Sequence, residues 1–199
     1  VSIFILFTQK MAYAITPVDH LPAEIIVLKL PNDGCANWKE ISRSVTKKTG
    51  LVERIPFNQT TKNWSELIGI QYFDRSALDK KVAGSVENAL DRIRETTLSA
   101  YPGNKVTWRI IEKNENDILY EWILHNPYGV VPPEHEIARL FLTNIAFHRV
   151  GFTRRNSEMN SDERETWIKL LKESASVVSM KEAIKVPGGL SIADSCKGH

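Results

Sequence analysis

Asn63-Trp64-Ser65-Glu66-Leu67-Ile68-Gly69-Ile70-Gln71-Tyr72 is the stretch whose reading decides the fold. A polar, aromatic-headed loop end runs directly into an apolar strand. From Glu66 the alternation puts Glu66, Ile68, Ile70 and Tyr72 on one face, with Leu67, Gly69, Gln71 and Phe73 on the other. Both faces are partly apolar, so the strand is central and needs cover on both sides. Asn63 and Ser65 read as hydrogen-bonding residues of the turn, and Trp64 as a cap on the core. The polar turn 58–63 precedes the strand and Asp74-Arg75-Ser76 closes it.

Towards the N-terminus, Leu51 to Phe57 alternates as a second strand, with Pro56 marking an edge or an end. Trp38, Ile41 and Val45 recur at spacings of three and four, which suggests a short amphipathic helix over 38–48, stopped by Gly50. Glu24 to Leu30 is a β-branched, apolar strand ended by Pro31-Asn32-Asp33-Gly34.

Towards the C-terminus the period changes. Leu78, Val82, Val86, Ala89, Leu90 and Ile93 make one stripe of a long helix over 76–101, with Ser76 as its N-cap and Pro102-Gly103-Asn104 as its stop. Lys105 to Glu112 and Ile118 to His125 alternate around a charged turn and form a hairpin that pairs Trp108 with Trp122 or Tyr120. Glu136 to Phe152 alternates for so long that a bend or hairpin break is expected near Thr143-Asn144. Asn160 caps a last helix with Glu163 three residues on, its buried face being Trp167, Leu170, Leu171, Ser174 and Val178. The class is α+β: a mostly antiparallel sheet with a long central helix and a C-terminal helix packed on it. One domain spans 15–182, and 183–199 reads as a flexible tail after Pro187-Gly188-Gly189.

Composition narrows the function classes. With 199 residues, 42% apolar and 25% charged, the chain is long enough to bury a core without metals or disulfides. A net charge of +2 with interspersed signs shows no basic stripe, so nucleic acid is not an expected partner. A protein or small-ligand partner is left open. No stretch reaches the roughly 20 apolar residues of a membrane span. The apolar run 2–8 is followed by Ala12-Tyr13-Ala14, an Ala-x-Ala pattern that precedes signal-peptidase cleavage. Residues 1–14 therefore read as a signal peptide, and the protein as periplasmic or secreted. Initiation at Met11 would make it cytoplasmic instead. Cys35 and Cys196 can pair in an oxidising compartment and would stay free thiols in the cytosol.

The opening stretch also resembles a motif in a family of small exported bacterial proteins of unknown function, in which Asn-Trp-Ser/Thr-Glu-Met/Leu leads into a strand ending in Gln. Here those residues are Asn63, Trp64, Ser65, Glu66, Leu67 and Gln71. The Trp108 hairpin, the Tyr120-Glu121-Trp122 strand, the Arg139 strand and the Trp167 helix look similar too, so the resemblance covers roughly 51–175. The element order resembles the PsbP-like α+β sandwich. The resemblance implies a bacterial envelope setting and no established activity.

Motifs for chemistry are scarce. His135-Glu136-Ile137-Ala138-Arg139 begins like a zinc-protease helix, but Arg139 stands where the second imidazole must be. No glycine-rich phosphate loop is present, and no cofactor is expected. Cys35 sits in a turn without a nucleophile signature. Glu66, Arg109, Glu121, His125 and Arg139 lie on strands, where they form either a polar pocket or a solvated face. Arg149, Arg154 and Arg155 read as a small basic patch at a strand end. Trp64, Trp108 and Trp122 are either core anchors or the lining of an aromatic binding groove. The leading expectation is a non-enzymatic binding or accessory protein of the cell envelope. The alternatives are an enzyme with a polar site at Glu121, His125 and Arg139, and a secreted factor acting on other cells.

Overall fold

The computed structural model describes residues 23–30, 37–103, 105–125, 132–179 and 189–191. In chain order the first half contains β1 (Glu24–Lys29), β2 (Trp38–Val45), β3 (Thr49–Pro56), β4 (Glu66–Asp74) and α1 (Val86–Ala100). The second half contains β5 (Lys105–Asn114), β6 (Asp117–His125), β7 (Glu134–Leu142), β8 (Ala146–Arg155), α2 (Ser161–Ser174), β9 (Ala175–Ser179) and β10 (Gly189–Ser191). A seven-stranded sheet has the order β2-β3-β4-β8-β7-β6-β5, and a three-stranded one the order β10-β1-β9. Every pairing is antiparallel. The chain is thus α+β with a mostly antiparallel sheet, as its alternation requires. No helix among the described residues is long and apolar enough to cross a membrane.

β4 lies between β3 and β8 and is buried from Leu67 to Tyr72. Two unlike covers close its two faces. On one, Val52, Ile68, Ile70, Val150 and Phe152 pack against Ile25 to Leu28 of β1 and Leu171 of α2. Phe152 stacks on Trp167 with centroids 3.8 Å apart, and Trp38 meets both rings edge-on. Arg139 Nη1 donates to the carbonyls of Leu171 (3.0 Å) and Lys172 (2.8 Å), satisfying acceptors that the end of α2 leaves unpaired. On the other face, Val86, Ala89 and Leu90 of α1 cover Tyr120, Trp122, Ala138, Leu140 and Phe147. A third cluster, Leu51, Ile55, Leu67 and Trp64, closes the corner beside β3. Gln59 holds the approach to β4: its side chain accepts from the Ser65 N–H at 2.7 Å and donates to Ser65 Oγ at 3.0 Å. Asn63 forms an isolated bridge with Thr60.

Four expectations change. The span 38–48 is a strand, not a helix. A bulge at Ile41, between Glu40 and Ser42, adds one residue to β2: Trp38 and Val45 join the cluster under β1 and α2 while Ile41 packs against the third cluster, so the spacing of three and four links residues of two faces. The long helix begins at Val86, not Ser76. Ser85 is the N-cap, its Oγ accepting from the Asn88 N–H, while 75–77 and 82–84 are 3-10 turns. Leu78 and Val82 still pack against the α1 cluster, so the apolar stripe is a set of contacts without one continuous helix. Val178 lies on β9, because α2 passes directly into a strand. Gly189–Ser191, placed in the tail by sequence, pairs with β1 as β10. The break near Thr143 is a hairpin: Thr143 N–H donates to the Ala146 carbonyl at 2.9 Å, and its Oγ1 accepts from the Ala146 N–H at 3.1 Å.

Candidate functional site: a buried guanidinium and an aromatic slot

The α1 face carries the least ordinary chemistry of the sheet. The cross-strand register sets Tyr120, Ala138, Gly151 and Gly69 side by side across β6, β7, β8 and β4. Three small residues in a row leave a furrow, and the Arg149 side chain lies across it. Its Nε donates to Tyr120 Oη at 2.7 Å, its Nη1 to Gln71 Oε1 at 2.9 Å, and its Nη2 to Glu136 Oε1. Those acceptors sit on β6, β4 and β7, so one guanidinium links residues of three strands besides its own. At Gly151 an added Cβ would stand 3.0 Å from Ala138 Cβ, so the furrow floor accepts nothing larger without movement.

Glu136 is fully buried and its oxygens are occupied. Oε1 also accepts from Trp122 Nε1 at 2.7 Å, and Oε2 from Thr153 Oγ1 at 3.2 Å. A buried charge survives only if paired and hydrogen-bonded in this way. Burial alone would weaken the Arg149 charge, but Glu136 and Tyr120 more than offset it and hold the proton on. Burial pushes the Tyr120 hydroxyl up to about 12, against the opposing pull of Arg149. Two further carboxyls flank the furrow. Glu53 is pushed up to about 7 by burial, partly opposed by Ser42 and Arg149. Burial likewise pushes Glu134 up to about 7, partly opposed by Arg155.

Tyr120 joins this network to the surface. Its ring stacks on Trp108 at 5.6 Å, and Trp108 stacks on Trp122 at 6.2 Å. Between α1 and the sheet edge lies a slot of about 410 Å³, lined by Leu90, Asp91 and Arg94 of α1 and by Trp108, Arg109, Ile110 and Tyr120. Trp108 Nε1 is buried and has no hydrogen-bond partner among the described residues. An indole N–H is a donor that a buried tryptophan normally satisfies. A second cleft of about 700 Å³ runs between 77–82 and the outer side of α1.

Trp108 and Trp122 are therefore brought together, and Trp64 is not. Trp64 sits in the third cluster with Leu51, Ile55 and Leu67, under the Arg155 guanidinium at 4.9 Å. Trp122 is 1% exposed, so it supports the slot from behind. A groove lined by all three rings does not form; the slot belongs to Trp108.

Glu121, His125 and Arg139 do not converge either. Glu121 binds Arg164 (2.6 Å) and Arg109 (3.0 Å). His125 Nε2 shares a hydrogen with Thr107 Oγ1 at 2.9 Å, and its Nδ1 faces Glu158 at 3.0 Å. Arg139 is held by Asp117 and the end of α2. Glu66 pairs with Arg154 on the same sheet face. His135 and Glu136 project to opposite faces of β7, which disposes of the zinc-protease resemblance. His135 Nδ1 accepts from the Met159 N–H at 3.1 Å, which places its proton on Nε2, towards Glu121. No group of three His, Cys, Asp or Glu side chains suited to a metal occurs among the described residues. Cys35 and Cys196 lie outside those residues.

The basic patch of Arg149, Arg154 and Arg155 is instead an ordered part of β8. Arg154 bridges Glu66 and Glu163, and Arg155 faces Glu134 at 3.7 Å. The sequence placed Arg149 in a basic patch and Glu136 in an incomplete zinc-protease pattern, and assigned Glu134 and Glu53 no role. The available signal was their phase: each alternates with residues of strands that are apolar on both faces, so each had to be buried. The chain matches no protein-family model and no curated protein.

Proposed function

We propose that this chain is a non-enzymatic binding protein of the bacterial envelope, exported by cleavage after Ala14, and that the Trp108 slot receives its ligand. The observation that carries the reading is the slot itself, whose aromatic floor of Trp108 stacked on Tyr120 is fixed from beneath by the Arg149 network. Rigid aromatic support is a feature of sites that bind an apolar group. The Ala12-Tyr13-Ala14 pattern and the motif resemblance support the envelope setting. An enzyme built on Glu121, His125 and Arg139 is less well supported, since each is committed to separate partners.

Two measurements test the proposal. Titration with N-acetylphenylalanine amide and indole-3-acetate, followed by NMR, should shift the Trp108 indole N–H together with Leu90 and Ile110, and Arg94→Glu should change the shifts. Perturbations absent from these residues would overturn the slot. Mass spectrometry of the mature protein should find Ile15 as its first residue in an envelope or secreted fraction. A cytosolic chain beginning at Met11 or earlier would overturn export.

A further inference from the structure

We infer that the ligand is an extended peptide, acidic on one side and apolar on the other, that adds antiparallel to the free edge of β5. This deepens the slot reading and rests on it. Among the described residues β5 pairs only with β6, and its ten residues present an unpaired edge. Natural edge strands are usually blunted, because unpaired N–H and C=O groups recruit further strands. β5 is only partly blunted. Its bulge lies between Ile110 and Glu112, so Lys105 to Ile110 remains a regular ladder six residues long.

The two sides of that ladder call for different chemistry. Val106, Trp108 and Ile110 point to the α1 face, where the slot opens and Ile110 is 53% exposed. Lys105, Thr107 and Arg109 point to the other face. An added strand with alternating side chains would put apolar groups at the slot and acidic ones beside Lys105 and Arg109. Over its whole length β5 carries Lys105, Arg109 and Lys113 against the single acid Glu112. Part of this charge is already met within the chain, Arg109 by Glu121 and Lys113 by Glu87. Lys105 has no such pair among the described residues, and Arg94 stands on the slot rim.

A second copy of the chain fits the edge less well, since its own ladder, Lys105 to Ile110, carries no acid to meet Lys105 and Arg109. Antiparallel self-pairing that is centred on Thr107 and keeps the side-chain faces matched sets Lys105 against Arg109; the bulge puts Lys113 on the opposite face from Lys105. That register opposes cation to cation, which disfavours it.

The test uses the full chain and three synthetic peptides: Ac-Glu-Leu-Glu-Phe-Glu-Leu-NH2, the same sequence with Lys for every Glu, and the acidic peptide N-methylated at alternate residues to remove ladder donors. The acidic peptide should shift the Trp108 indole N–H and slow hydrogen exchange of the β5 amides. The Lys peptide should bind at least about tenfold more weakly, and N-methylation on the pairing side should weaken binding by roughly tenfold or more. Equal binding of the N-methylated peptide overturns strand addition while leaving the slot reading intact. Equal binding of the Lys peptide overturns the charge selection. Concentration-dependent dimerisation with protection of β5 and no peptide binding assigns the edge to a second copy and overturns the inference. If neither the peptides nor the small aromatic probes move Trp108, the slot reading fails as well.

Discussion

On the α2 face of the seven-stranded sheet, Val52, Ile68, Ile70, Val150 and Phe152 meet β1 and α2 through hydrocarbon, while Arg54, Glu121, His135 and His148 are buried on the same face. On the α1 face, a few ångströms of backbone away, Arg149, Glu136, Gln71, Tyr120 and Thr153 are buried at the middle of the sheet, with apolar clusters to either side. Hydrocarbon contact is non-directional and tolerates exchange of one aliphatic side chain for another. The hydrogen-bonded lattice is directional. Only one register of β6, β7, β8 and β4 sets Thr153 beside Glu136 and Gln71 beside Arg149. Both faces bury charged groups, but only the α1 face joins four strands through one guanidinium, which ties the hydrocarbon adhesion to a single alignment.

The contrast predicts unequal responses to substitution. Arg149→Ala should have the largest effect, a loss of about 3–5 kcal/mol by urea denaturation, because Glu136 is left buried and uncompensated. The double change Arg149→Met with Glu136→Leu should cost clearly less than Arg149→Ala alone. If it costs more, the lattice is worth more than the hydrocarbon that replaces it, and the comparison is wrong in sign. On the opposite face Ile70→Leu should cost under about 1.5 kcal/mol.

Acid–base behaviour should separate the faces next. Glu53 and Glu134, on the α1 face, are raised from 4.5 to about 7 in the folded chain. Between those values the folded state holds more protons, so their contribution to stability falls as pH rises from about 4.5 to about 7. His148, on the α2 face beneath Glu24, is lowered by burial from 6.5 to about 4. There the unfolded state holds more protons, so its contribution falls as pH drops from 6.5 towards 4. Glu53→Gln should flatten the stability–pH curve on the neutral side, and His148→Gln on the acid side. Denaturation midpoints measured from pH 4 to 8 check both slopes. The smallest effects should come from the helix caps. Ser85→Ala for α1 and Asn160→Ala for α2 should each cost about 1 kcal/mol in thermal or urea unfolding, whichever face the helix covers.

Much of this architecture was legible in the residues. Asn63 to Tyr72 held both its roles: Trp64 closes a cluster, Ser65 is fixed by Gln59, and β4 is central. The β5–β6 hairpin and the Asn160 cap followed from alternation and capping chemistry, which act over a few residues. What escaped depends on partners distant in sequence. The β2 bulge is meaningful only against β3. The furrow exists because Gly69, Gly151 and Ala138 become neighbours across three strands. The three tryptophans looked alike in sequence, and only the fold separates the supported Trp122, the corner Trp64 and the slot-lining Trp108.

The β4–β8 seam carries one more consequence. β2-β3-β4 and β5-β6-β7-β8 are two meanders, each assembled from hairpins between neighbours in sequence. The large sheet joins them only where β4 meets β8, with Glu66 against Arg154 and Asp74 against Ala146. Closing so long a loop is slow compared with forming a hairpin, so this seam is predicted to set the pace of folding. Changes along it should slow refolding, while changes confined to one meander should chiefly hasten unfolding.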